Sequence, residues 1–307
     1  MCGTILESQV MDANSLKMLI AEESLPQSYV EAVNNWYVPL AEEIAALPRG
    51  GPLLIGIQGS QGSGKSTLAL FLRNLLEQDC GLRCVILSLD DFYKTRAERQ
   101  QLAESVHPLL QTRGVPGTHD VDLANAAIDA LTDPQRREFV HLPRFNKATD
   151  DRMRKSIWTR VYGKVDIILF EGWCVGLGPQ SAEQLQRPVN MLEANEDRDG
   201  VWRNYVNDAL ANEYQTLFAR LDKLLVMQAP SFECVYEWRW LQEQKLMARW
   251  QLENPDQPAR LLDAKSISRF IAHYERLTRH CLATLPETAN WLLKLNPDHE
   301  IYMMTRR

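Results

Sequence analysis

Short apolar runs alternate with longer amphipathic segments along most of this chain. Five runs have the length and composition of buried strands: residues 53–58, 84–88, 166–170, 223–228 and 290–295. Most are separated by segments with apolar residues at helical spacing, at residues 65–78, 122–131, 201–220, 231–251 and 266–283. Strands that alternate with helices indicate βαβ units. The pattern therefore predicts an α/β fold in which a mostly parallel, five-stranded sheet lies between two helical layers.

Two segments do not follow this alternation. Residues 1–47 are mostly helical in pattern, and Pro-Arg-Gly-Gly-Pro at 48–52 is typical of a boundary. We therefore expect residues 1–49 to form a helical extension packed on a core domain of residues 50–307. Residues 92–160 carry many charges and prolines and are too long for a simple crossover, so they predict an insertion with a functional role.

The overall charge and the cysteines narrow the class of protein. The 307 residues include 34 basic and 40 acidic ones, and the net charge of −6 argues against a general nucleic-acid-binding protein. The six cysteines are scattered without a Cys-x-x-Cys pair, so they predict buried free thiols rather than a zinc site. Neither a membrane span of about 20 apolar residues nor a signal-peptide pattern is present. We expect a soluble cytoplasmic protein without a membrane partner.

A glycine-rich loop follows the first predicted strand and precedes a predicted helix. Its sequence, GSQGSGKS at 59–66, matches the phosphate-loop pattern G-x-x-x-x-G-K-[ST]. Glycines let successive main-chain N–H groups turn inward to bind an anion, and the start of the helix adds its positive end. Lys65 is expected to reach the terminal phosphates of ATP, and Ser66 to bind Mg²⁺. The predicted nucleotide-binding residues are Gly59, Ser60, Gln61, Gly62, Ser63, Gly64, Lys65, Ser66 and Thr67.

Acidic residues follow two other predicted strands. Asp90 and Asp91 come after the strand at 84–88, and Glu171 comes after the strand at 166–170. Ligands bind at the carboxyl ends of parallel strands, and two adjacent acids repel each other unless a cation or a proton relay uses them. Glu171 is typical of the acidic strand end that holds Mg²⁺ in phosphate-loop proteins. A structural role in a turn or helix cap stays an alternative for each acid.

Five motifs together resemble one family of kinases. They are LSLDDFY (87–93), RGVPGTHD (113–120), LPRFNK (142–147), LFEGW (169–173) and EWRWLQEQ (237–244). Their order and spacing are similar to those of the D-glycerate 3-kinase family, within a group that includes uridine kinase, phosphoribulokinase and bacterial pantothenate kinase. The resemblance covers roughly residues 36–300. It implies a P-loop NTPase fold of the NMP-kinase type, with the segment at about 92–160 as an acceptor-binding insertion and with a lid.

The resemblance also implies roles for individual residues. Asp90 would take the proton from the acceptor hydroxyl, while Lys65 and Arg239, the latter on a lid helix, would neutralise the phosphates. The implied metal-linked residues are Ser66, Asp90 and Glu171. The implied acceptor-binding residues are Asp91, Tyr93, Arg113, His119, Asp120, Arg144 and Lys147. The segment 296–300 would lie near the adenine.

The acceptor itself stays open at this point. A carboxylate such as that of glycerate needs cationic partners, for which Arg113, Arg144 and Lys147 are the candidates, with solvated surface charges as the alternative. His119 and Asp120 could instead form a helix start. The stretch ATDDRMRKS at 148–156 is shorter than its counterpart in plant and yeast enzymes, and this segment should lie over the acceptor.

The sequence therefore predicts an ATP-dependent kinase that phosphorylates a hydroxyl of a small acceptor, with D-glycerate as the first choice and 3-phosphoglycerate as the product. A nucleoside, pantothenate or a sugar is the alternative acceptor. A regulatory NTP-binding protein is disfavoured, because such proteins usually lack an acid placed like Asp90 and carry Asn-Lys-x-Asp, which is absent here. We expect ATP and Mg²⁺ as cofactors and a monomer or homodimer that binds no nucleic acid.

Overall fold

A computed structural model of the chain describes residues 13–253 and 264–307. The strands within them are β1 (Leu53–Gly59), β2 (Cys84–Ser88), β3 (Val140–Leu142), β4 (Phe145–Asn146), β5 (Asp151–Arg152), β6 (Thr159–Val161), β7 (Ile167–Gly172), β8 (Lys223–Gln228), β9 (Trp291–Leu295) and β10 (Ile301–Arg306). Six of them form one sheet in the order β10-β9-β8-β1-β7-β2. All neighbours are parallel except β10 and β9.

The five predicted strands are all present, and the sheet has a sixth strand that the sequence analysis missed. This strand, β10, runs antiparallel to β9 at the edge of the sheet. Only its first residue, Ile301, is buried, while Tyr302 and Met303 are exposed. The strand does contain a short apolar run at residues 301–304, but most of its side chains are partly or fully exposed, and the sequence analysis did not recognise it as a strand.

The helices cover both faces of the sheet. They are α1 (Ala13–Glu22), α2 (Tyr29–Ala32), α3 (Val38–Ala45), α4 (Lys65–Gln78), α5 (Arg96–Ser105), α6 (Val121–Thr132), α7 (Ala182–Leu185), α8 (Met191–Glu196), α9 (Val201–Ala209), α10 (Gln215–Phe218), α11 (Phe232–Glu253), α12 (Ala264–Ala272) and α13 (Glu275–Thr288). Two π-helical turns, Val33–Tyr37 and Leu210–Tyr214, join α2 to α3 and α9 to α10. The helix predicted at 266–283 is two helices, α12 and α13.

Successive side chains of the central strands enter two separate cores. On β1, Leu54 packs into a cluster with residues of α6, α9 and α13, whereas Ile55 and Ile57 pack into a second cluster with α3 and α4. Alternation of this kind follows from the pleat, and burial on both faces is typical of a parallel sheet. The predicted three-layer α/β architecture is confirmed.

The N-terminal helices contribute to the second core. Leu16, Val33, Tyr37 and Leu40 lie in the same buried cluster as Phe71 of α4. The Tyr29 hydroxyl lies 2.7 Å from that of Tyr37, and both rings contact the ring of Phe71. These contacts support the prediction of an extension packed on the core, although the boundary at residue 49 stays a prediction and residues 1–12 lie outside the described part.

The insertion at 92–160 is ordered around one buried arginine. Arg99 of α5 is 1% exposed, and its guanidinium donates to the main-chain oxygens of Lys94, Gln111 and Asp150. Two small antiparallel pairs, β3 with β6 and β4 with β5, complete the segment. Since a buried arginine must have its donors satisfied, Arg99 fixes three parts of the insertion relative to one another.

The five described cysteines are free thiols, and Cys84, Cys174 and Cys281 are buried. The prediction of free thiols is therefore confirmed for them, while Cys2 lies outside the described residues. Among the helices of the described residues, none combines the length and the apolar composition that a membrane span requires.

Candidate active site

The phosphate loop connects β1 to α4 and adopts the backbone that its glycines permit. Gly62 has φ 78° and Gly64 has φ 88°, in the left-handed region that side chains disfavour. A Cβ atom at Gly62 would also lie 2.8 Å from Cβ of Trp238, so α11 packs directly on the loop. Glycine at position 62 is required both by its backbone angles and by this close contact.

The loop presents polar groups that have no protein partner. The hydroxyls of Ser60 and Ser63 are buried, and neither has a hydrogen-bond partner among the described residues. The helix α4 begins at Lys65 after Gly64, without a side-chain cap. Buried hydroxyls and uncapped N–H groups at a helix start favour an anion, so the loop fits the phosphates of a nucleotide.

The end of the loop lies against the acidic end of β7. Ser66 Oγ donates to Glu171 Oε1 at 3.1 Å, and Lys65 Nζ lies 3.9 Å from Glu171 Oε2. Glu171 is only 5% exposed. A hydroxyl and a carboxylate suit Mg²⁺, which usually takes one or two protein carboxylates together with phosphate oxygens and water. No cluster of three or more His, Cys, Asp or Glu residues occurs in the described ranges, and a nucleotide-bound Mg²⁺ needs none.

Asp90 lies in a 3₁₀ turn, Leu89–Phe92, directly after β2. Its carboxylate accepts from Tyr93 Oη at 3.0 Å and pairs with Lys147 Nζ at 2.6 Å. Burial raises the pKa of Asp90, but the charges of Lys147 and Lys65 outweigh this effect and hold the pKa well below its ordinary value. Asp90 is therefore ionised, as a group that accepts a proton must be.

Asp91 points to the insertion. It accepts from Arg144 at 2.6 Å and from the main-chain N–H of Phe145 at 3.0 Å. Arg144 also donates to Thr159 Oγ1 at 2.8 Å. Asp91 and Arg144, both predicted to bind the acceptor, thus bind each other and tie the start of β4 to the end of β2.

The remaining predicted acceptor residues are also paired with charges from the insertion. Arg113 forms an ion pair with Asp150. Asp120 lies 3.0 Å from Arg152 and accepts from Leu123 N as the cap of α6, which is the helix-start role left open for it. All three predicted clamp cations therefore have carboxylate partners in this structure.

His119 is the most enclosed of the predicted acceptor residues. It is fully buried, its Nδ1 lies 2.6 Å from Tyr214 Oη, and its ring stacks on Tyr93 at 4.4 Å between centroids. Burial lowers the pKa of His119 to about 3, against the opposing effect of the Asp90 charge. The imidazole is therefore neutral at physiological pH.

A cavity of about 890 Å³ lies beside the phosphate loop. Its lining includes Lys65 and Thr67 on the loop side and Trp36 on the N-terminal side. The turn between β9 and β10 contributes Asp298 and His299, in the segment predicted to lie near the adenine. The cavity therefore extends from the phosphate loop to the N-terminal helices and to the turn between β9 and β10.

Known proteins that are similar to this chain in sequence or in structure include several kinases. The chain is 35% identical over 240 residues to the uncharacterized kinase mug58 of Schizosaccharomyces pombe, covering 74% of this chain and 80% of that protein. It is 30% identical over 247 residues to the chloroplastic D-glycerate 3-kinase of Arabidopsis thaliana, covering 75% of this chain and half of that protein.

In structure, the chain is similar to a D-glycerate 3-kinase from Cryptococcus neoformans, with a TM-score of 0.71 at 24% identity, over 92% of this chain and all of that one. No family model matches the sequence. The chain belongs to the D-glycerate 3-kinase-like family of P-loop kinases. It is therefore an enzyme, a phosphotransferase that uses ATP.

The kinase's predicted lid residue, Arg239, lies on α11. The guanidinium is 5.7 Å from the centroid of the Phe270 ring and is partly buried. The preceding residue, Trp238, donates to Pro297 O at 2.7 Å and stacks on His299 at 4.3 Å. The helix that carries Arg239 is thus joined both to the phosphate loop and to the turn before β10.

Three residues of this kinase's site were missed by the sequence analysis. Asp150 and Arg152 pair with predicted acceptor residues, and Tyr214 binds His119. The short run Asp150-Asp151-Arg152 was a signal for the first two, because it replaces a longer segment of the relatives. Tyr214 gave no signal, since it lies about a hundred residues from its partner in an ordinary amphipathic stretch.

Proposed function

We propose that this kinase transfers the γ-phosphate of Mg-ATP to a hydroxyl group of a small acceptor, and that the acceptor is D-glycerate. One observation carries the proposal. Lys65 and Ser66 of the phosphate loop meet Glu171 within 3.9 Å, and Lys65 is near enough to Asp90 to lower its pKa. The residues proposed as the phosphate site, the metal-binding acid and the proton acceptor therefore lie close together.

On the nucleotide side, the loop N–H groups and Lys65 would hold the β- and γ-phosphates. Ser66 and Glu171 would hold Mg²⁺, with Asp90 nearby as a further oxygen ligand. The metal supplies neutralisation of the charge on the transferring phosphoryl group. Positioning and charge neutralisation are most of what phosphoryl transfer requires from a protein.

On the acceptor side, Asp90 would accept the proton of the attacking hydroxyl. The new bond forms between the acceptor oxygen and the γ-phosphorus, while the bond from that phosphorus to the β,γ-bridging oxygen breaks. The hydroxyl proton passes to Asp90 Oδ, and the electron pair of the broken bond leaves with ADP. Tyr93 donates to Asp90 and would keep its carboxylate directed at the hydroxyl.

Glycerate is favoured by the similarity to two D-glycerate 3-kinases and by the cations near Asp90. Its carboxylate would join or replace Asp91 and Asp150 as a partner of Arg144 and Arg113. Arginine suits this role because its planar fork matches a carboxylate. A nucleoside, pantothenate or a sugar is the alternative acceptor. A cytoplasmic location and a monomeric or dimeric state stay predictions from the sequence.

The test is coupled ADP release with Mg-ATP and a panel of D-glycerate, uridine, pantothenate and ribulose 5-phosphate. We expect turnover with D-glycerate and a single phosphorylated product, identified as the 3-phosphate by ³¹P NMR. Lys65→Ala protein serves as the blank for contaminating kinases. Turnover of another panel member alone would reject glycerate but keep the kinase mechanism.

A further inference from the structure

His119 and Tyr214 share a hydrogen bond whose direction can be deduced from the surrounding donors. Tyr214 Oη lies 2.6 Å from His119 Nδ1 and accepts from the main-chain N–H of Gly117 at 3.1 Å. Both side chains are fully buried. A main-chain N–H can only donate, so the phenol oxygen acts as the acceptor towards Gly117.

The hydroxyl of Tyr214 has one hydrogen, and among its partners in the described part of the chain only the imidazole can accept it. If His119 Nδ1 carried a proton, the oxygen would accept twice and the phenol hydrogen would be buried without an acceptor in the described part of the chain. A buried donor without an acceptor is costly. The phenol therefore donates to Nδ1, and in a neutral imidazole the ring proton must then be on Nε2.

The Nε2–H group of His119 is buried, and no residue within 13–253 or 264–307 accepts from it. The ring stacks on Tyr93, whose hydroxyl donates to Asp90 at 3.0 Å. Burial lowers the pKa of His119 to about 3, which keeps the ring in its neutral form. The Nε2–H donor of His119 therefore lies among the side chains that surround Asp90, the proposed proton acceptor.

The backbone supports a specific role for Tyr214. It is the last residue of the π-helical turn Leu210–Tyr214, which interrupts an otherwise α-helical run from α9 to α10. Single π turns within helices occur often at functional sites, because they change the direction of the side chains that follow. Here the turn brings a phenol to the loop at Gly117–His119.

We propose that Tyr214 is a positioning residue that holds His119 as the Nε2–H tautomer, and that Nε2–H donates to an oxygen of the acceptor substrate beside Asp90. This inference rests on the proposed function. A donor at Nε2 binds the acceptor but cannot take its proton. His119 therefore selects an oxygen-bearing acceptor, and proton removal is left to Asp90.

The direct test determines the tautomer of His119 and requires no activity measurement. In protein labelled with ¹⁵N-histidine, long-range ¹H–¹⁵N correlation should show His119 with a protonated Nε2 and an unprotonated Nδ1. The His119→Gln protein identifies the signal by its loss. A protonated Nδ1 in the native protein would overturn the proposal, whether or not glycerate is the acceptor.

Two pairs of variants test the consequence for binding. Tyr214→Phe removes the hydroxyl, and we expect the KM for the acceptor to rise roughly tenfold, as for the loss of one hydrogen bond, with the KM for ATP unchanged. Tyr205→Phe is the control, because Tyr205 lies on α9 and also approaches Gly117. Equal effects of the two variants would contradict the role of Tyr214.

The second pair replaces the imidazole. The amide nitrogen of His119→Gln can reach the position of Nε2, whereas that of His119→Asn reaches only the position of Nδ1. We expect the Gln protein to keep more acceptor affinity than the Asn protein. The reverse order would refute donation from Nε2. If the native protein showed no kinase turnover, the proposed function would be rejected, but the tautomer measurement would still be valid.

Discussion

The nucleotide side and the acceptor side of the active site differ in how their charges are balanced. The phosphate loop is one continuous stretch of chain, and its two buried serine hydroxyls have no hydrogen-bond partner among the described residues. On the acceptor side, four ion pairs already match the charges: Asp90 with Lys147, Asp91 with Arg144, Asp150 with Arg113, and Asp120 with Arg152.

This difference indicates how each ligand binds. The nucleotide brings negative charge to a loop that presents hydroxyl and N–H donors, so the loop needs little rearrangement. The acceptor instead enters a site whose charged side chains already form ion pairs. A buried charge that loses its partner there has a high free-energy cost. We therefore expect changes to the phosphate loop to abolish activity, and changes to the acceptor pairs to alter KM more selectively.

The largest expected effect comes from Lys65→Ala. Removal of the cation that reaches the terminal phosphates should lower kcat with Mg-ATP by about a thousandfold or more. The circular dichroism spectrum and the unfolding midpoint should stay close to those of the native protein, because Lys65 is a partly exposed residue in the first turn of α4. Near-normal turnover by the purified variant would contradict the assignment of the loop.

Asp90→Asn should have the next largest effect. The amide keeps the shape of the side chain but accepts no proton, so kcat should fall about 10²–10⁴-fold. The Kd for Mg-ATP, measured by calorimetry, should change much less. If turnover and nucleotide affinity fell by equal factors, Asp90 would act only as a metal ligand, and its proposed second role as the proton acceptor would be contradicted.

Much of the nucleotide side could be predicted from the sequence because its residues are contiguous. The loop at 59–67 requires glycine at fixed spacing, and Glu171 is found simply by following a buried strand to its end. The acceptor side depends on contacts between distant segments. Asp91 meets Arg144 53 residues further along the chain, and His119 meets Tyr214 95 residues away.

Other features escaped for physical reasons of their own. The strand β10 buries only one residue, and its short apolar run at 301–304 was not recognised as a strand. The π turn that ends at Tyr214 lies in a stretch whose helical periodicity is ordinary, and one extra residue in a turn barely changes that periodicity. Tyr93, Arg144 and Lys147 contact Asp90 or Asp91, and these contacts were not foreseen. The role of the predicted residues in acceptor binding stays a prediction.

A moderate effect is expected for Arg144→Met. If the acceptor has a carboxylate, its KM should rise about tenfold to a hundredfold, because an arginine–carboxylate pair is lost, while the KM for ATP should stay within a factor of about two. Arg154→Met is the matched control, since Arg154 is exposed in the same insertion. An unchanged acceptor KM in Arg144→Met would indicate an acceptor without a carboxylate.

The smallest expected effect concerns stability and pH. The pKa of His119 is about 3 in the folded protein, and its ordinary value is 6.5. Below about pH 6.5 the unfolded chain binds a proton on this side chain, whereas the folded protein binds it only when the pH nears 3. The contribution of neutral His119 to the free energy of unfolding is therefore complete above about pH 6.5 and is lost as the pH falls towards 3. From about pH 8 to about pH 5, the free energy of unfolding should fall about 2 kcal/mol more in native protein than in His119→Gln.

Urea unfolding of both proteins at the two pH values measures this difference. If the free energy of unfolding fell equally in the native and His119→Gln proteins, His119 would not be buried as a neutral ring. Such a result would also remove the basis for a fixed tautomer at the acceptor side, and would leave the nucleotide side unaffected.

The central claim is that the main chain at 59–66, together with Lys65, binds the phosphates of a nucleotide. Isothermal titration of Mg-ATP into the folded native protein tests it most directly. We expect a single saturable site, with affinity strongly reduced in the Lys65→Ala protein. Absence of any Mg-ATP binding by well-folded native protein would contradict the claim.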